Sequence, residues 1–154
     1  MIINKLLIVR IAVLFYYFVY NQGCTIYYVQ NDTSKLQTVR IIYNQNNDQT
    51  KKNESRLIAA EKAGRIVELH KHAEGLEKVF FDFRLPPKNK LPLNRLLSST
   101  YFDTSSYASI CYPAKNIYGT DTITCLRFDQ LASNTKSDGI PFLLVRSEKK
   151  IFIK

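Results

Sequence analysis

One stretch of this 154-residue chain repeats its apolar residues at the spacing of an α-helix. Between Glu54 and Leu69 they recur every three or four positions, which predicts a single amphipathic helix with Asn53 as its N-cap. The runs around it are short, rich in β-branched and aromatic residues, and bounded by Pro, Gly or Asn, which favours strands. The chain is long enough for one hydrophobic core, so the helix and the strands are expected to share it. This predicts an α+β fold, with one helix packed on an antiparallel sheet.

The predicted strands lie on both sides of this helix. Before it, the runs 25–29 and 38–43 flank turn-forming residues, so they are predicted to pair as a hairpin. The polar residues 44–53 include no apolar side chain, and we expect a mobile loop there. The runs predicted to be strands after the helix are 78–83, 107–112, 122–128, 142–146 and 150–153.

Residues 1–23 have the pattern of a secretory signal peptide. Lys5 precedes an apolar run that reaches Tyr20, and small or polar residues follow it. Arg10 interrupts the run and leaves about ten uninterrupted apolar residues, whereas a membrane-spanning helix needs roughly 20. We therefore expect removal of the segment and no stable membrane insertion, and an uncleaved signal anchor is the alternative.

Export has consequences for the rest of the chain. Cleavage is expected between Gly23 and Cys24, which would release 24–154 as one small secreted α+β domain. A cysteine directly after the cleavage site also occurs in bacterial lipoproteins, so a lipoprotein signal is an alternative to an ordinary signal peptide. Two triplets that begin at Asn31 and Asn53 match the acceptor pattern for N-glycosylation and are compatible with export.

If the chain is exported, its three cysteines are in an oxidising environment, in which thiols tend to form disulfides. Cys111 and Cys125 lie in two β-type runs separated by a turn, so neighbouring strands could bring them within bonding distance. Cys24 could instead pair with either of them or stay free, and the sequence does not choose among these pairings.

The composition is basic, with 22 Lys and Arg against 13 Asp and Glu. A basic surface raises the local concentration of polyanions such as RNA, while an ordinary solvated surface is the equal alternative. Aromatic and basic residues alternate in several runs, which suits base stacking but is also typical of half-buried strands. The cations predicted to contribute to binding are Lys71, Arg84, Lys88, Lys90 and Arg127.

Both histidines of the chain lie just beyond the predicted helix. On a strand, His70, His72 and Glu74 would project from one face, an arrangement that suits acid–base chemistry or a metal ion. Capping of the helix C-terminus by the histidines is the alternative. Because the sequence contains no familiar enzyme, phosphate-binding or zinc motif, we predict no catalytic residue, cofactor or metal, and these three residues are candidates only.

Short segments after the predicted helix follow one another in a recognisable order. They are Leu69-His70-Lys71, Glu74-Gly75, Phe81-Asp82-Phe83, Leu91-Pro92-Leu93, Ser109-Ile110-Cys111-Tyr112 and Thr122-Ile123-Thr124-Cys125. With the hairpin and helix before them, this order resembles the small secreted fungal ribonucleases that prefer guanine and the ribonuclease-like secreted effectors of powdery mildew fungi. The resemblance covers about Asn53 to Phe128 and implies a microbial-ribonuclease-like fold.

The resemblance also implies a site whose charged residues have been replaced. In that family a His and a Glu act as the base, an Arg stabilises the phosphorane and a second His protonates the leaving oxygen. His70 matches the first His, but Lys90 stands at the Glu position. The Arg position falls near Ser109, and the second His position falls near Cys125 or Leu126. Residues 129–154 extend beyond the usual end of the family.

The first functional hypothesis is a secreted virulence effector of a plant-associated fungus. In this hypothesis the protein is ribonuclease-like but inactive, and it binds a host protein or ribonucleoprotein, with RNA as a further candidate partner. It interferes with host defence and could act inside the host cell. One alternative is an active secreted ribonuclease that uses His70 or His72 with Glu74. Another is a small secreted animal protein of an insect type, a family that Thr122–Arg127 and the following Asp129-Gln130 resemble.

We predict that protein recovered from the medium of its producing cell begins at Cys24, because signal peptidase removes such apolar segments on export. N-terminal sequencing or intact-mass measurement of the exported and the cell-retained protein tests this. Finding only the full-length chain, retained in the cell, would contradict the prediction.

Overall fold

A computed structural model describes residues 7–14, 26–97, 108–131, 136–137 and 148–154. Its helices are α1 over residues 7–14, α2 over Asp48–Lys62 and α3 over Asn94–Leu97, with a 3-10 turn at Phe128–Gln130. Its strands are β1 Ile26–Asn31, β2 Gln37–Tyr43, β3 Val67–Glu74, β4 Lys78–Leu85, β5 Lys90–Pro92, β6 Ala108–Lys115, β7 Asp121–Arg127, β8 Lys136–Ser137 and β9 Glu148–Ile153.

The larger sheet has five strands in the order β3-β4-β2-β6-β7, and every neighbouring pair is antiparallel. Its side chains alternate between the two faces, as the period of a strand requires. Val39 and Ile41 of β2 and Phe81 and Phe83 of β4 are buried, while the residues between them are at least partly exposed. The sheet therefore has one apolar face and one face that is open to solvent.

The smaller sheet has four strands in the order β5-β1-β9-β8. Strand β1 pairs parallel with β9 and antiparallel with β5, so residues near both ends of the described chain meet in it. Val29 of β1 and Ile151 and Ile153 of β9 are buried. The C-terminal strand is thus part of the fold, although most of the segment 129–147 lies outside the described residues.

The apolar faces of both sheets share one core with helix α2. A single buried cluster contains Val29 and Ile151 from the smaller sheet, Ile41 and Phe81 from the larger sheet, and Leu57 from α2. The predicted α+β fold class is confirmed. No helix within the described residues is long and apolar enough to cross a membrane.

Helix α2 begins six residues earlier than predicted. Asn47, not Asn53, is its N-cap, and the Asn47 Oδ1 accepts a hydrogen bond from the backbone N–H of Thr50 at 3.0 Å. The prediction of a loop over 44–53 is therefore wrong from Asp48 onward. The first half of α2 forms without apolar residues because Thr50 and Asn53, which are its buried side chains, are both hydrogen-bonded.

The same helix also ends earlier than predicted, at Lys62 instead of Leu69. The N–H of Gly64 donates to the Glu61 carbonyl at 2.9 Å, and the N–H of Arg65 donates to the Ala60 carbonyl at 2.9 Å. This pair of bonds is a Schellman motif, which needs a left-handed residue, and Gly64 has a φ of 69°. Gly64 stops the helix, so the histidine segment that follows it forms strand β3.

The predicted hairpin between the first two strands is wrong, although both strands exist. Strand β1 pairs with β5 and β9, whereas β2 pairs with β4 and β6, so the two lie in different sheets. The apolar pattern of each strand was correct, but pattern alone does not decide between neighbours. The predicted strand 142–146 lies outside the described residues.

Of the cysteine pairings that the sequence allows, the disulfide between Cys111 and Cys125 is present. The two residues stand directly opposite each other on β6 and β7, with their Cα atoms 4.0 Å apart. Side chains of such a directly opposed pair lie close together, so the pairing follows from the register of the two strands. Cys24 lies outside the described residues, as does the predicted cleavage site between Gly23 and Cys24.

The side chain of Asn31 joins the two sheets at the end of β1. Its Nδ2 donates to the carbonyl oxygens of Lys35 at 2.6 Å and Leu85 at 2.8 Å, and its Oδ1 accepts from the Thr33 N–H at 3.0 Å. The residue is fully buried, and so is Asn53 on α2. Both asparagines of the glycosylation triplets are therefore inaccessible in the folded protein.

We predict that Asn31→Asp lowers the free energy of unfolding by about 3 kcal/mol, because it removes two N–H donors and buries a carboxylate beside two carbonyl oxygens. Chemical denaturation monitored by circular dichroism measures the change. Asn46→Asp, at an exposed position, is the matched control and should shift stability by less than about 0.5 kcal/mol. Equal effects of the two substitutions would show that the Asn31 amide does not join the sheets.

Candidate functional site

The open face of the five-stranded sheet, which points away from α2, holds the histidines. Five residues stand opposite one another on successive strands, and we call them the cross-sheet row: His70, Asp82, Arg40, Cys111 and Cys125. Asp82 lies between buried phenylalanines on β4, and Arg40 lies between buried residues on β2. Because successive side chains of a strand point to opposite faces, the side chains of Asp82 and Arg40 point toward solvent. The row is the chemically richest part of this face.

A β-bulge places the histidines on this face. Between Val67 and His70 the register of β3 against β4 shifts by one residue, and Glu68 within the bulge has a φ of 54°. A one-residue shift moves every following side chain to the other face of a sheet. Without the bulge, His70 and His72 would point toward the core.

Asp82 is the centre of the polar contacts on the open face. Its Oδ1 accepts from the Arg40 Nε at 2.6 Å and its Oδ2 from the Arg40 Nη2 at 2.8 Å, a bidentate pair. His72 lies on the other side of the carboxylate, with its Nε2 3.2 Å from the Asp82 Oδ2. The carboxylate is only 19% exposed, while the Arg40 and His72 side chains are about half exposed.

Aromatic and basic side chains surround this carboxylate. The Phe80 ring on β4 lies between two cations, with the Arg40 guanidinium carbon and the Lys78 Nζ each 5.5 Å from its centre. Cation–π contacts of this kind hold the long side chains against the sheet. The Arg40 guanidinium is therefore fixed by the Asp82 carboxylate and by the Phe80 ring.

The electrostatics of the pair follow from these contacts. The hydrogen bonds from Arg40 hold the pKa of the Asp82 carboxyl below its usual range, with a smaller contribution in the same direction from His72. The bond to Asp82 likewise raises the pKa of Arg40. The site at rest is an ion pair between a deprotonated carboxylate and a guanidinium.

The structure brings the three candidate catalytic residues together on one strand. His70, His72 and Glu74 are all exposed and face the same side of β3, and Glu74 stands opposite Lys78. They do not cap a helix, because α2 ends well before them. Within the described residues no group of three or more potential metal ligands lies close enough together to hold an ion.

The five predicted binding cations do not share one surface. Arg84 and Arg127 lie on strands of the larger sheet, Lys71 faces α2, Lys88 follows β4 and Lys90 lies on β5. Each one forms an ion pair with a carboxylate at 2.7 to 3.1 Å: Lys71 with Glu54, Arg84 with Glu68, Lys88 with Asp32, Lys90 with Glu148, and Arg127 with Asp129. Their positive charges are locally neutralised.

Asp82 and Arg40 are not among the site residues predicted from the sequence. Lys90, which was matched to the glutamate position of the ribonucleases, lies in the smaller sheet and away from the histidines. The signal that could have found Asp82 is its position between two phenylalanines, where alternation predicts an exposed carboxylate. Arg40 lies likewise between two apolar residues, but only the pairing of β2 with β4 places it beside Asp82.

Comparison of the chain with protein-family models, curated proteins and solved structures finds no match.

We predict that Asp82→Asn lowers the free energy of unfolding by about 1 kcal/mol at pH 7, because it removes a partly buried bidentate ion pair. The pKa of Asp82 is lower in the folded protein than in the unfolded chain. Its contribution to stability is therefore complete above about pH 4 and is lost as the pH falls further. Denaturation of both proteins from pH 7 to pH 2 should show the difference shrinking on acidification.

Asp121→Asn is the matched control for this experiment. Asp121 is exposed at the start of β7 and forms no ion pair within the described part of the chain. Its substitution should change stability little at either pH. A difference for Asp82→Asn that stays constant with pH would mean that the charge of the carboxylate does not contribute.

Proposed function

We propose that this chain is a secreted virulence effector of a plant-associated fungus. In this proposal it is a ribonuclease-like interaction protein without catalytic activity. It interferes with host defence by binding a host protein or ribonucleoprotein in host tissue or inside the host cell. The observation that carries the proposal is the state of the Asp82 carboxylate, which is bound on both oxygens by Arg40.

A carboxylate in this state is a poor general base. A base that works near neutral pH has a pKa close to the working pH, whereas the contacts of Asp82 lower its pKa. The Arg40 guanidinium, which would otherwise stabilise a phosphorane, is already paired with Asp82 and is not free to bind an anion. The two groups neutralise each other.

The far end of the cross-sheet row also argues against catalysis. Cleavage of RNA by acid and base needs two proton-transfer groups within hydrogen-bond reach of one phosphate. Both histidines of the chain lie on the edge strand β3, and the other end of the row is the Cys111–Cys125 disulfide. With about 4.8 Å between strands, His70 and Cys125 are separated by about 19 Å.

Two features support export. The Cys111–Cys125 disulfide is typical of proteins that fold in an oxidising compartment. The apolar residues of α1 are exposed, and their sequence has the pattern of a signal peptide.

The open face of the larger sheet is available to a partner protein. On this face the Phe80 side chain is partly exposed and the Ile123 side chain is 73% exposed.

One contact favours the alternative of an active ribonuclease. The His72 Nε2 lies 3.2 Å from the Asp82 Oδ2, a geometry in which a carboxylate orients a histidine. In this alternative His70 or His72 would act together with Glu74, which lies on the same face of β3. The two hypotheses differ in a single measurable property, which is the hydrolysis of RNA.

We predict that the purified protein does not hydrolyse single-stranded RNA above the rate of a heated sample, because Asp82, the carboxylate that faces the histidines, is held in an ion pair by Arg40. The measurement is release of fluorescence from a quenched RNA oligonucleotide, with His70→Ala and His72→Ala as companion variants. Any trace activity should be equal in all three proteins and should separate from the protein on further purification. Hydrolysis that disappears in either variant would establish the active ribonuclease instead.

A further inference from the structure

A groove on the other side of the molecule has a different chemistry from the open face. It lies between the C-terminal half of α2, strand β5 and helix α3, and it has a volume of about 490 Å³. This size is within the range of clefts that bind ligands. None of the residues of the cross-sheet row lines it, so it is a separate surface, which we call the arginine groove.

The floor of the arginine groove is apolar. Ala59 and Ala60 in the last turn of α2 and the C-cap Ala63 line one side, and Leu91 and Leu96 line the other. Small side chains on a helix leave room that bulky side chains of a partner can fill. The floor therefore suits aliphatic side chains from outside the molecule.

The rim is basic. Arg56, Arg65 and Arg95 line the groove, and no carboxylate is among its described lining residues. Arg56 is oriented by hydrogen bonds to the Asn53 side chain and to the Arg95 carbonyl. Arg65 and Arg95 are exposed, and within the described part of the chain neither guanidinium takes part in an ion pair. This rim differs from the five predicted binding cations, which are all paired.

We propose that the arginine groove binds an acidic amphipathic helix of a partner protein. Its aliphatic side chains would fill the alanine-lined floor, and its carboxylates would pair with the arginines of the rim, which favour bidentate bonds to such groups. Helices commonly bind to grooves in this way. The inference goes beyond the proposed function, since it concerns a different surface and holds whether or not RNA is cleaved.

A nucleic acid fits the groove less well. Binding of single strands relies on aromatic rings on which bases stack, and no aromatic residue is among the described lining of the groove. Tyr28 lies in the adjoining hollow, but the Lys90 Nζ covers its ring at 4.5 Å from the centre. The rim alone would bind phosphates, but the apolar floor would stay unused.

Fluorescence anisotropy with the full chain tests the proposal. The probe is a labelled helical peptide of about 16 residues with leucines on one face and glutamates on the other. The comparison probes have the leucines replaced by serine, have the glutamates replaced by lysine, or consist of a uridine oligonucleotide of similar length. Only the peptide with both leucine and glutamate should bind tightly.

Variants locate the binding site. The double charge reversal Arg65→Glu, Arg95→Glu should weaken binding of the peptide roughly tenfold or more. Lys35→Glu, Lys115→Glu changes the net charge equally at exposed sites outside the groove, and should have less than about a twofold effect. Circular dichroism spectra and melting curves confirm that each variant is folded.

A second pair of variants tests the floor without changing charge. Ala59→Phe fills the groove and should weaken binding roughly tenfold, while Ser55→Phe, one turn earlier on α2 and outside the lining, should not.

The proposal is overturned if the wild-type chain binds none of the peptides or if both double reversals weaken binding equally. It is also overturned if the uridine oligonucleotide competes for the same arginines. RNA hydrolysis would refute the proposed function but would leave this result unaffected.

Discussion

The fold depends on a buried amide at the point where the chain leaves one sheet for the other. Asn31 ends β1, and its side chain binds the carbonyls of Lys35 and Leu85, which belong to the connection toward β2 and to the end of β4. The backbone of the same residue bonds to Lys88 and Asn89 beyond β4. A buried polar group is tolerated only when its hydrogen bonds are made. The bond to Leu85 joins the end of β1 to the end of β4, so the amide stabilises the contact between the two sheets.

The position of β2 follows from that separation, and the open face follows from β2. With β1 in the smaller sheet, both edges of β2 are available, and they pair with β4 and β6. Arg40 on β2 is then directly opposite Asp82, and the ion pair forms between residues 42 positions apart in the chain. If β1 and β2 formed a hairpin, one edge of β2 would be occupied and Arg40 would lose one of its two neighbours in the row. The chemistry of the site is therefore a consequence of sheet topology.

Sequence patterns predicted the local structure of this chain better than its pairing. Alternation in the run Lys78–Leu85 and periodicity around Leu57 reflect burial of individual residues, so the α+β class, most strands and one helix were predictable. The ends of α2 were not, because they are set by the hydrogen bonds of the Asn47 side chain and the Gly64 backbone, which residue type alone does not predict. The Cys111–Cys125 bond was one of the pairings that the sequence allowed, because a short turn joins its two strands, but the sequence did not exclude a bond to Cys24. Arg40 and Asp82 were not predictable, since their meeting depends on long-range register.

The chain has a net charge of +9, but the five cations predicted to bind do not form one basic face within the described residues. A cation within hydrogen-bond distance of a carboxylate contributes little to the field at a distance, and the five predicted binding cations are all in this state. In the proposed complex, the attraction for an anionic partner comes from cations that have no such neighbour within the described part of the chain, and Arg65 and Arg95 of this kind line one groove with an apolar floor. Recognition in the arginine groove would then depend less on the total charge of the chain than on where carboxylates are missing.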